Sequence, residues 1–217
     1  MEEHFHKNLS HLRRDYAKGD LHKHQIAANP FTQFSQWFQE MQQAGFVEPN
    51  AMFVATVNAA GQPSMRTVLL KEFTAEGFVF YTNQHSRKGK DIAENDQVAL
   101  LFYWDKLEQQ IRIEGKASIF PEQKAEAYFN SRPWGSKIGA WASPQSEKIH
   151  TREVLEENYM RYAKQFPHEV PKPPHWGGYL VKPYYFEFWQ GRSNRLHDRI
   201  SYTLAGNNTW EIVRLAP

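Results

Sequence analysis

The sequence contains no cysteine among its 217 residues, which excludes disulfide bonds, thiolate metal sites and a cysteine nucleophile. It also has no apolar run long enough to span a membrane, and its polar N-terminus lacks the hydrophobic segment of a signal peptide. A cytoplasmic protein without membrane contact is the expectation. The formal net charge is only +2, so the clustered excess of cations typical of nucleic-acid binding is missing.

Several catalytic signatures are absent as well. The sequence has no GxxxxGK phosphate loop, no GxGxxG at a strand–helix junction, no GxSxG and no HExxH. No pair of carboxylates has the arrangement of a glycosidase site. Classical nucleotide-binding, hydrolase and metalloprotease sites are therefore not predicted, and no metal site is expected.

Hydrophobic residues make up 41% of the chain and aromatic residues 15%, which is enough for one sizeable core. Alternating apolar and polar residues predict a mainly β protein, an antiparallel, Greek-key-like six-stranded barrel with added helices. The predicted strands cover residues 51–58, 63–73, 77–83, 98–104, 109–120 and 184–189, and further strand pattern follows at Ile200, Tyr202 and the C-terminus.

Residues 1–29 are polar, and we expect a mobile N-terminal segment there, followed by a single domain over residues 30–217. His4, His6, His22 and His24 have no carboxylate or cysteine partners nearby, so a mobile segment is favoured over a metal site. Within this segment Ser10 is predicted to cap a short helix. Further helices are predicted over residues 30–44, 86–94, 121–131 and 151–166, with a helical turn at 136–141.

Five groups of polar residues are candidate binding sites. Arg66 and Lys71 stand five positions apart on one predicted strand, which places them on opposite faces if the strand is regular. A ligand lying across the strand would explain both cations, and two solvated strand ends are the alternative.

The strand ending in Tyr81 and Thr82 leads into a helix that begins with Arg87 and Lys88. Free amides, the helix dipole and two cations would together bind a phosphate monoester. A basic first turn without a ligand is the alternative, although the dipole opposes cations there.

Tyr128, Arg132 and Ser136 supply a phenol, a guanidinium and a hydroxyl around a helix end, a set that suits a second phosphate. Gln110, Gln145 and Ser146 offer neutral hydrogen bonds for a heterocycle. Ordinary surface or capping roles remain open for both groups.

Residues 184–202 carry the densest charge. After a strand in which Tyr184, Phe186 and Phe188 share one side, Gly191 ends the alternation, and a basic turn contains Arg192, Arg195, His197, Asp198 and Arg199. One aspartate does not balance three guanidiniums, so an anionic ligand is expected. A solvated basic turn is the alternative.

Together these segments resemble the pyridoxine (pyridoxamine) 5′-phosphate oxidase family. The resemblance rests on RTVLLK at 66–71, FYTN and SRK within 80–88, YFNSRP and IGAWAS within 128–146, WGGY at 176–179, EFWQG and RLHDR within 187–199, and the C-terminal RLAP. It implies an FMN-binding split barrel and a homodimer with FMN between the subunits. It also implies oxidation of pyridoxine and pyridoxamine 5′-phosphates by dioxygen to pyridoxal 5′-phosphate, with release of hydrogen peroxide.

The resemblance implies two sets of site residues. FMN would be held by Arg66, Thr67, Val68, Leu69, Leu70, Lys71, Tyr81, Thr82, Arg87, Lys88, Gln110, Gln145, Ser146, Trp189 and Arg199. The substrate would be held by Arg13, Arg14, Asp15, Tyr16, Lys71, Tyr128, Arg132, Ser136, Arg195, Leu196 and His197, with residues 13–16 as a lid and Arg195 and His197 as the catalytic pair.

Trp134, Gly135 and Lys137 depart from the side chains expected for the family, and Asp198 has no role beyond orienting a neighbouring arginine. Two other functions stay open. A flavin reductase of the same fold would need the 66–71 and 87–88 sites but not the RLHDR turn. A non-catalytic protein that binds FMN or pyridoxal phosphate would share the binding residues.

Overall fold

The computed structural model describes residues 7–217, so His4 and His6 lie outside the described residues. Within this part the strands are β1 (Ala51–Val57), β2 (Pro63–Leu69), β3 (Glu72–Thr74), β4 (Gly77–Asn83), β5 (Gln97–Trp104), β6 (Gln109–Ile119), β7 (Trp176–Gln190), β8 (Asp198–Leu204) and β9 (Trp210–Leu215). The helices are α1 (Pro30–Gln43), α2 (Arg87–Glu94), α3 (Glu122–Ser131), α4 (Trp134–Ala142) and α5 (Glu153–Gln165), with a 3-10 turn at Ser193–Arg195.

All strand pairs are antiparallel, in the order β2-β1-β5-β6-β7-β4-β3, and β8 and β9 extend the sheet from β7. The Lys71 amide donates to the Val79 carbonyl at 2.9 Å, which links the chain leaving β2 to β4 and curls the sheet. The predicted antiparallel barrel is confirmed. Seven strands form this path, and β8 and β9 are added beside β7.

The core lies inside the curled sheet and is closed by α1. Asn29 caps this helix through the Phe31 amide, and Phe34, Trp37 and Met41 are buried on one face at helical spacing. Phe34 packs edge-on against Phe78 and Phe102 at centroid distances of 4.9 and 5.1 Å. Gly45, with a φ of 68°, follows the helix end, as predicted.

Two predicted elements are wrong. Ser10 does not cap a helix. Its amide donates to the Asn8 side chain at 2.9 Å, and after a turn at residues 10–11 the chain forms no helix or strand before α1. The predicted strand 63–73 is broken after Leu69, where the Leu70 amide donates to the Asn50 carbonyl at 2.8 Å. Leu70 and Lys71, which follow the break, therefore do not continue the alternation of side chains between the two faces of β2.

Strand β7 is the longest strand, with 15 residues. Its first part pairs with β4 and its last part with β8, while β6 pairs along most of it. The register shifts opposite Glu114 and Gly115, so Tyr184 is skipped and stays exposed while Phe186 and Phe188 are buried. Tyr184 therefore does not lie on the buried side with Phe186 and Phe188, although the alternation in the sequence predicted that all three share one side.

No helix of the described residues is long and apolar enough to cross a membrane. Nor do residues 7–217 place three or more histidine, cysteine or acidic side chains together as metal ligands. His22 and His24 stack on each other, and His22 lies 3.4 Å from Asp20.

Candidate active site

A cavity of about 1010 Å³ opens between β2, β4, the start of α2 and the α3–α4 connection. It brings together most of the predicted site residues from the first two-thirds of the chain. Those that line it are Arg66, Thr67, Val68, Leu69, Lys71, Tyr81, Thr82, Arg87, Lys88, Tyr128, Arg132, Ser136, Gln145 and Ser146. Leu70 is absent from the lining, because its side chain is buried in the core.

Arg66 and Lys71 both line this cavity, so the prediction of opposite faces is wrong. The strand ends at Leu69, and alternation no longer applies to Lys71. Arg66 itself is fixed by the hydroxyls of Thr56 and Ser64 at 2.8 and 2.6 Å. Its guanidinium also lies 3.8 Å from Asp91, while burial lowers its pKa.

Lys88 is the deepest cation of the cavity, with 7% of the residue exposed. Its Nζ donates to Thr82 Oγ1 and Gln145 Oε1 at 2.9 Å and to Ser86 Oγ at 3.1 Å. All three partners are neutral. Burial, and then the charge of Arg66, lower the pKa of Lys88 to about 8. A buried ammonium without a carboxylate partner is suited to an anionic ligand.

Helix α2 begins with the two cations Arg87 and Lys88. Ser86 occupies the N-cap position, but its hydroxyl donates back to the Asn83 carbonyl at 2.6 Å and makes no bond to the helix amides. The Ser86 side chain therefore does not cap the amides in the first turn of α2. Gly89 permits the tight approach of this turn, because a Cβ there would lie 2.0 Å from the Gln84 carbonyl oxygen.

A second cation sits across the cavity on an aromatic wall. Tyr81 stacks on Tyr128 at 4.2 Å and on Trp176 at 5.3 Å. The Arg132 guanidinium lies 5.0 Å above the Trp176 ring. Its NH1 atom is buried and has no hydrogen-bond partner in the part of the chain described. Burial lowers the pKa of Arg132 and raises that of Tyr81 to about 12, so the arginine is the charged group available there.

Trp176 is one of the lining residues that the sequence does not indicate as site residues. It enters the sequence analysis only within the WGGY segment, yet its ring completes the wall and supports Arg132. Nothing local in the sequence indicates this, since the contact joins the start of β7 to the end of α3.

Five of the remaining predicted residues form a separate hairpin cluster, which consists of Tyr16, Gln110, Trp189, His197 and Arg199. Gln110 and Arg199 are the direct cross-strand neighbours of Trp189 on β6 and β8, so the three share one face. The His197 ring lies 4.7 Å from Trp189, and Tyr16 packs edge-on against both at 5.7 and 5.5 Å.

His197 has a defined tautomer. The Arg192 amide donates to its Nδ1 at 3.0 Å, so in the neutral ring the proton is on Nε2. Burial and the nearby charge of Arg195 lower the pKa of His197, which favours this neutral form. The ring therefore presents an N–H donor at Nε2.

Carboxylates balance two of the three guanidiniums in the 191–199 turn, so the expectation that an anionic ligand must offset them all is wrong. Arg199 donates twice to Glu187, at 2.9 and 3.0 Å, and Arg192 lies 3.5 Å from Asp198. Asp198 also accepts from Arg214 at 2.6 Å, which gives it the arginine-orienting role. Arg195 makes no ion pair with any of residues 7–217, and its φ is 60°.

Cavity and hairpin cluster are far apart in one chain. Tyr81 pairs with Gly178 near the start of β7, and Gln110 pairs with Trp189 near its end. On β7, Gly178 and Trp189 are eleven positions apart, which is about 35 Å along an extended strand. A single small ligand does not bridge that distance.

The lid residues 13–16 and the turn residue Leu196 have different environments. Arg14 donates to the Asp105 carbonyl at 2.8 Å and lies 5.2 Å from the Tyr16 ring centre. The Arg13 side chain donates to the Ser10 carbonyl at 3.0 Å, and Asp15 and Leu196 are exposed. Among these residues only Tyr16 reaches the hairpin cluster.

Comparison with known proteins identifies the family. Residues 38–165 match the family described as pyridoxamine 5′-phosphate oxidase, and residues 176–217 match the pyridoxine 5′-phosphate oxidase C-terminal dimerisation region. A pyridoxine/pyridoxamine 5′-phosphate oxidase of Bordetella avium is 52% identical over 97% of this chain and 100% of its own length. One from a Nostoc species is 49% identical over 97% of this chain and 99% of its own length.

Solved structures agree with the fold. PhzG from Burkholderia lata, in complex with tetrahydrophenazine-1-carboxylic acid, has a TM-score of 0.85 at 30% identity, covering 89% of this chain and 95% of that one. An FMN-binding protein from Nostoc punctiforme has a TM-score of 0.70 at 16% identity and shares the fold, covering 88% of this chain and 100% of its own. The chain thus belongs to the pyridoxine/pyridoxamine 5′-phosphate oxidase family and is an FMN-dependent oxidoreductase of the split-barrel fold.

Proposed function

We propose that the protein oxidises pyridoxine 5′-phosphate and pyridoxamine 5′-phosphate with dioxygen to pyridoxal 5′-phosphate, releasing hydrogen peroxide and, from the amine, ammonia. One observation carries the proposal: the cavity holds two separate cations that have no acidic partner among residues 7–217. Within this range Lys88 is bound only by neutral oxygens, and Arg132 has a buried guanidinium nitrogen without a partner. A flavin phosphate and a substrate phosphate would occupy these two positions.

The cavity residues around α2 fit the phosphate end of FMN. We assign the phosphate to Arg66, Arg87, Lys88 and the first turn of α2, where dipole and charge both favour an anion. Gln145 and Ser146 would add neutral contacts beside it. Bound FMN would supply the two-electron oxidation chemistry, which the side chains of this chain cannot carry out.

The aromatic wall fits the phosphate of the substrate. We assign it to Lys71, Tyr128, Arg132 and Ser136, all of which line the same cavity. Trp176 would hold the Arg132 plane in place beneath the phosphate. A guanidinium can bind two phosphate oxygens at once through parallel N–H donors.

The hairpin cluster would complete the site from a second copy of the chain, because it lies too far from the cavity within one chain. The match of residues 176–217 to a dimerisation region supports a homodimer. In it, Gln110, Trp189 and Arg199 would face FMN, while Arg195 and His197 would face the reacting carbon. His197 would donate from Nε2 to the substrate oxygen or nitrogen, and residues 13–16 would close over the ring.

The alternative functions would require different residues of the site. PhzG, at 30% identity, was solved with a tetrahydrophenazine carboxylic acid, a ligand without phosphate, so a second phosphate site would be superfluous for such a compound. A flavin reductase of this fold would not need Arg132 or the 195–197 turn. A non-catalytic binder would hold FMN or pyridoxal phosphate without turnover.

Anaerobic reduction tests the proposal. The purified yellow holoprotein should bleach on addition of pyridoxine 5′-phosphate without oxygen, and air should restore the colour with one hydrogen peroxide formed per turnover. Unphosphorylated pyridoxine and a reduced phenazine carboxylic acid serve as comparison substrates. Persistent yellow colour with both phosphates would reject the oxidase, and bleaching by the phenazine acid alone would favour a PhzG-like reaction.

A further inference from the structure

We infer that Glu108 is a positioning residue, whose buried carboxylate holds the strap formed by residues 14–22 so that Tyr16 stays packed on Trp189 and His197. The inference rests on the proposed function, because it takes Tyr16 and His197 to face the substrate. Glu108 lies in the turn between β5 and β6.

The Glu108 carboxylate is buried and accepts hydrogen bonds from the strap. Glu108 is 4% exposed, and its Oε2 accepts the amides of Ala17 and Lys18 at 2.8 and 3.0 Å. Its Oε1 lies 4.0 Å from the half-exposed Arg14 guanidinium. A buried carboxylate is costly unless it is hydrogen-bonded, and bonds to a charged acceptor are stronger than neutral ones. These two amides are therefore strong anchors for the strap.

Glu108 is itself tied to the end of β7 that carries Trp189. Its carbonyl accepts the Gly191 amide at 2.8 Å and the Gln190 side chain at 3.2 Å. Its φ is 56°, a left-handed conformation that a non-glycine residue adopts at a cost. The surrounding bonds hold this conformation and direct the carboxylate at the strap.

The strap places Tyr16 in a fitted position. The ring meets Trp189 and His197 edge-on, and on another side it contacts Gly191, where a Cβ would lie 2.8 Å from Tyr16 Cδ1. Beyond Glu108, the Leu21 amide donates to Asp198 at 3.1 Å. Residues 17–21 are thus fixed at both ends, and movement of the strap must occur before residue 17.

A purely structural role for Glu108 makes a different prediction. If the carboxylate only stabilises the fold, its loss lowers stability but leaves substrate affinity in the folded holoenzyme unchanged. If it positions Tyr16, its loss frees the strap first and weakens substrate binding, while FMN stays bound at the cavity.

Three variants separate these roles. Glu108→Gln keeps the shape and one acceptor oxygen but removes the charge. Glu108→Asn is too short to reach the strap, yet asparagine tolerates the left-handed backbone. Glu211→Gln is the control, since Glu211 is exposed on β9. The FMN content of each holoenzyme confirms folding.

The first readout is trypsin cleavage after Arg14 and Lys18 in the holoenzyme, which needs no substrate. We expect cleavage about tenfold faster in Glu108→Asn, intermediate in Glu108→Gln and unchanged in Glu211→Gln. The second readout is steady-state kinetics with pyridoxine 5′-phosphate. KM should rise about tenfold in Glu108→Asn, with a smaller fall in kcat.

The outcomes are distinct. Equal cleavage rates in wild type and both Glu108 variants, or faster cleavage with an unchanged KM, would overturn the inference. Faster cleavage with a raised KM supports it. Faster cleavage in a protein whose wild type turns over neither phosphate would overturn the proposed function while supporting the hold of Glu108 on the strap.

Discussion

Lys88 should make FMN binding depend on pH. Burial holds its pKa at about 8, so without a bound phosphate the side chain loses its proton as the pH rises through that value. A phosphate dianion favours the charged form, and FMN phosphate is fully ionised well below this range. The FMN dissociation constant should therefore be lowest below pH 8 and rise by up to about tenfold per pH unit above it.

Fluorescence titration between about pH 7 and pH 9 measures this dependence. Riboflavin, which lacks the phosphate, is the matched ligand and should bind weakly with little change over the same range. Lys88→Met should weaken FMN and flatten the curve. A wild-type affinity that does not vary with pH would contradict the assignment of Lys88 to the phosphate.

Arg195 and His197 should affect turnover without affecting FMN content. Arg195→Leu is expected to lower kcat/KM by about 100-fold or more, because a group that orients the reacting centre is lost. His197→Asn should lower kcat/KM as well, because the shorter amide can still accept the Arg192 amide but does not reach the position of the Nε2 donor. Because the neutral ring is the form described, activity should also fall as the pH drops through the lowered pKa of His197.

Arg161→Leu, on the exposed face of α5, is the control for losing one arginine. Flavin absorbance at equal protein concentration gives the FMN content of each variant. Turnover near the wild-type value in both Arg195→Leu and His197→Asn would remove the 195–197 turn from the substrate site.

Single residues of the site could be predicted by type, but their partners could not. The excess of cations in 191–199 is visible in the sequence, and Arg195 does lack an ion pair within the described residues. That Glu187 binds Arg199, or that Asp198 binds Arg214, depends on the register of β7, β8 and β9. The partners of Glu108 could not be predicted either, because the sequence shows it only as one more charged residue in a polar turn.

At the scale of elements, the start of α2 should be sensitive to one methyl group. Gly89→Ala would place a Cβ 2.0 Å from the Gln84 carbonyl, so the first turn must shift and stability should fall by about 1–3 kcal/mol. Gly139→Ala in α4 meets no atom within 4 Å and should instead stabilise the protein by about 0.5–1 kcal/mol, the usual gain in a helix.

Urea unfolding of both variants measures the difference, and FMN retention shows whether α2 has moved. Since both changes are glycine to alanine within a helix, propensity alone predicts the same sign for each. A similar stabilisation of both would show that α2 does not need the close approach at Gly89.

Most elements followed from their periodicity because one face is buried and the other more exposed, as in α1 and β5. The errors share one cause. The break after Leu69 and the non-helical segment after Ser10 are fixed by hydrogen bonds to Asn50 and Asn8, which outweigh the local pattern. The first of these contacts joins segments far apart in sequence, and the second is a local side-chain bond that competes with a helix cap.

The whole chain divides its predicted site residues between the cavity and the hairpin cluster. Sequence order gives no sign of this, because residues from both groups alternate along the chain and the long strand β7 carries parts of each. Two-fold association of identical chains would unite the cavity of one with the hairpin cluster of the other, since an isologous interface places each patch against its complement twice.

Mixing two inactive variants tests this arrangement. Arg132→Met impairs only the cavity and Arg195→Leu only the turn beside the hairpin cluster, so each homodimer should be inactive. In a mixed dimer one site would carry both changes and the other neither. If chains pair at random, co-expression should restore about a quarter of the wild-type activity per chain. No recovery, with mixed dimers verified by two different affinity tags, would mean that each site is built from a single chain.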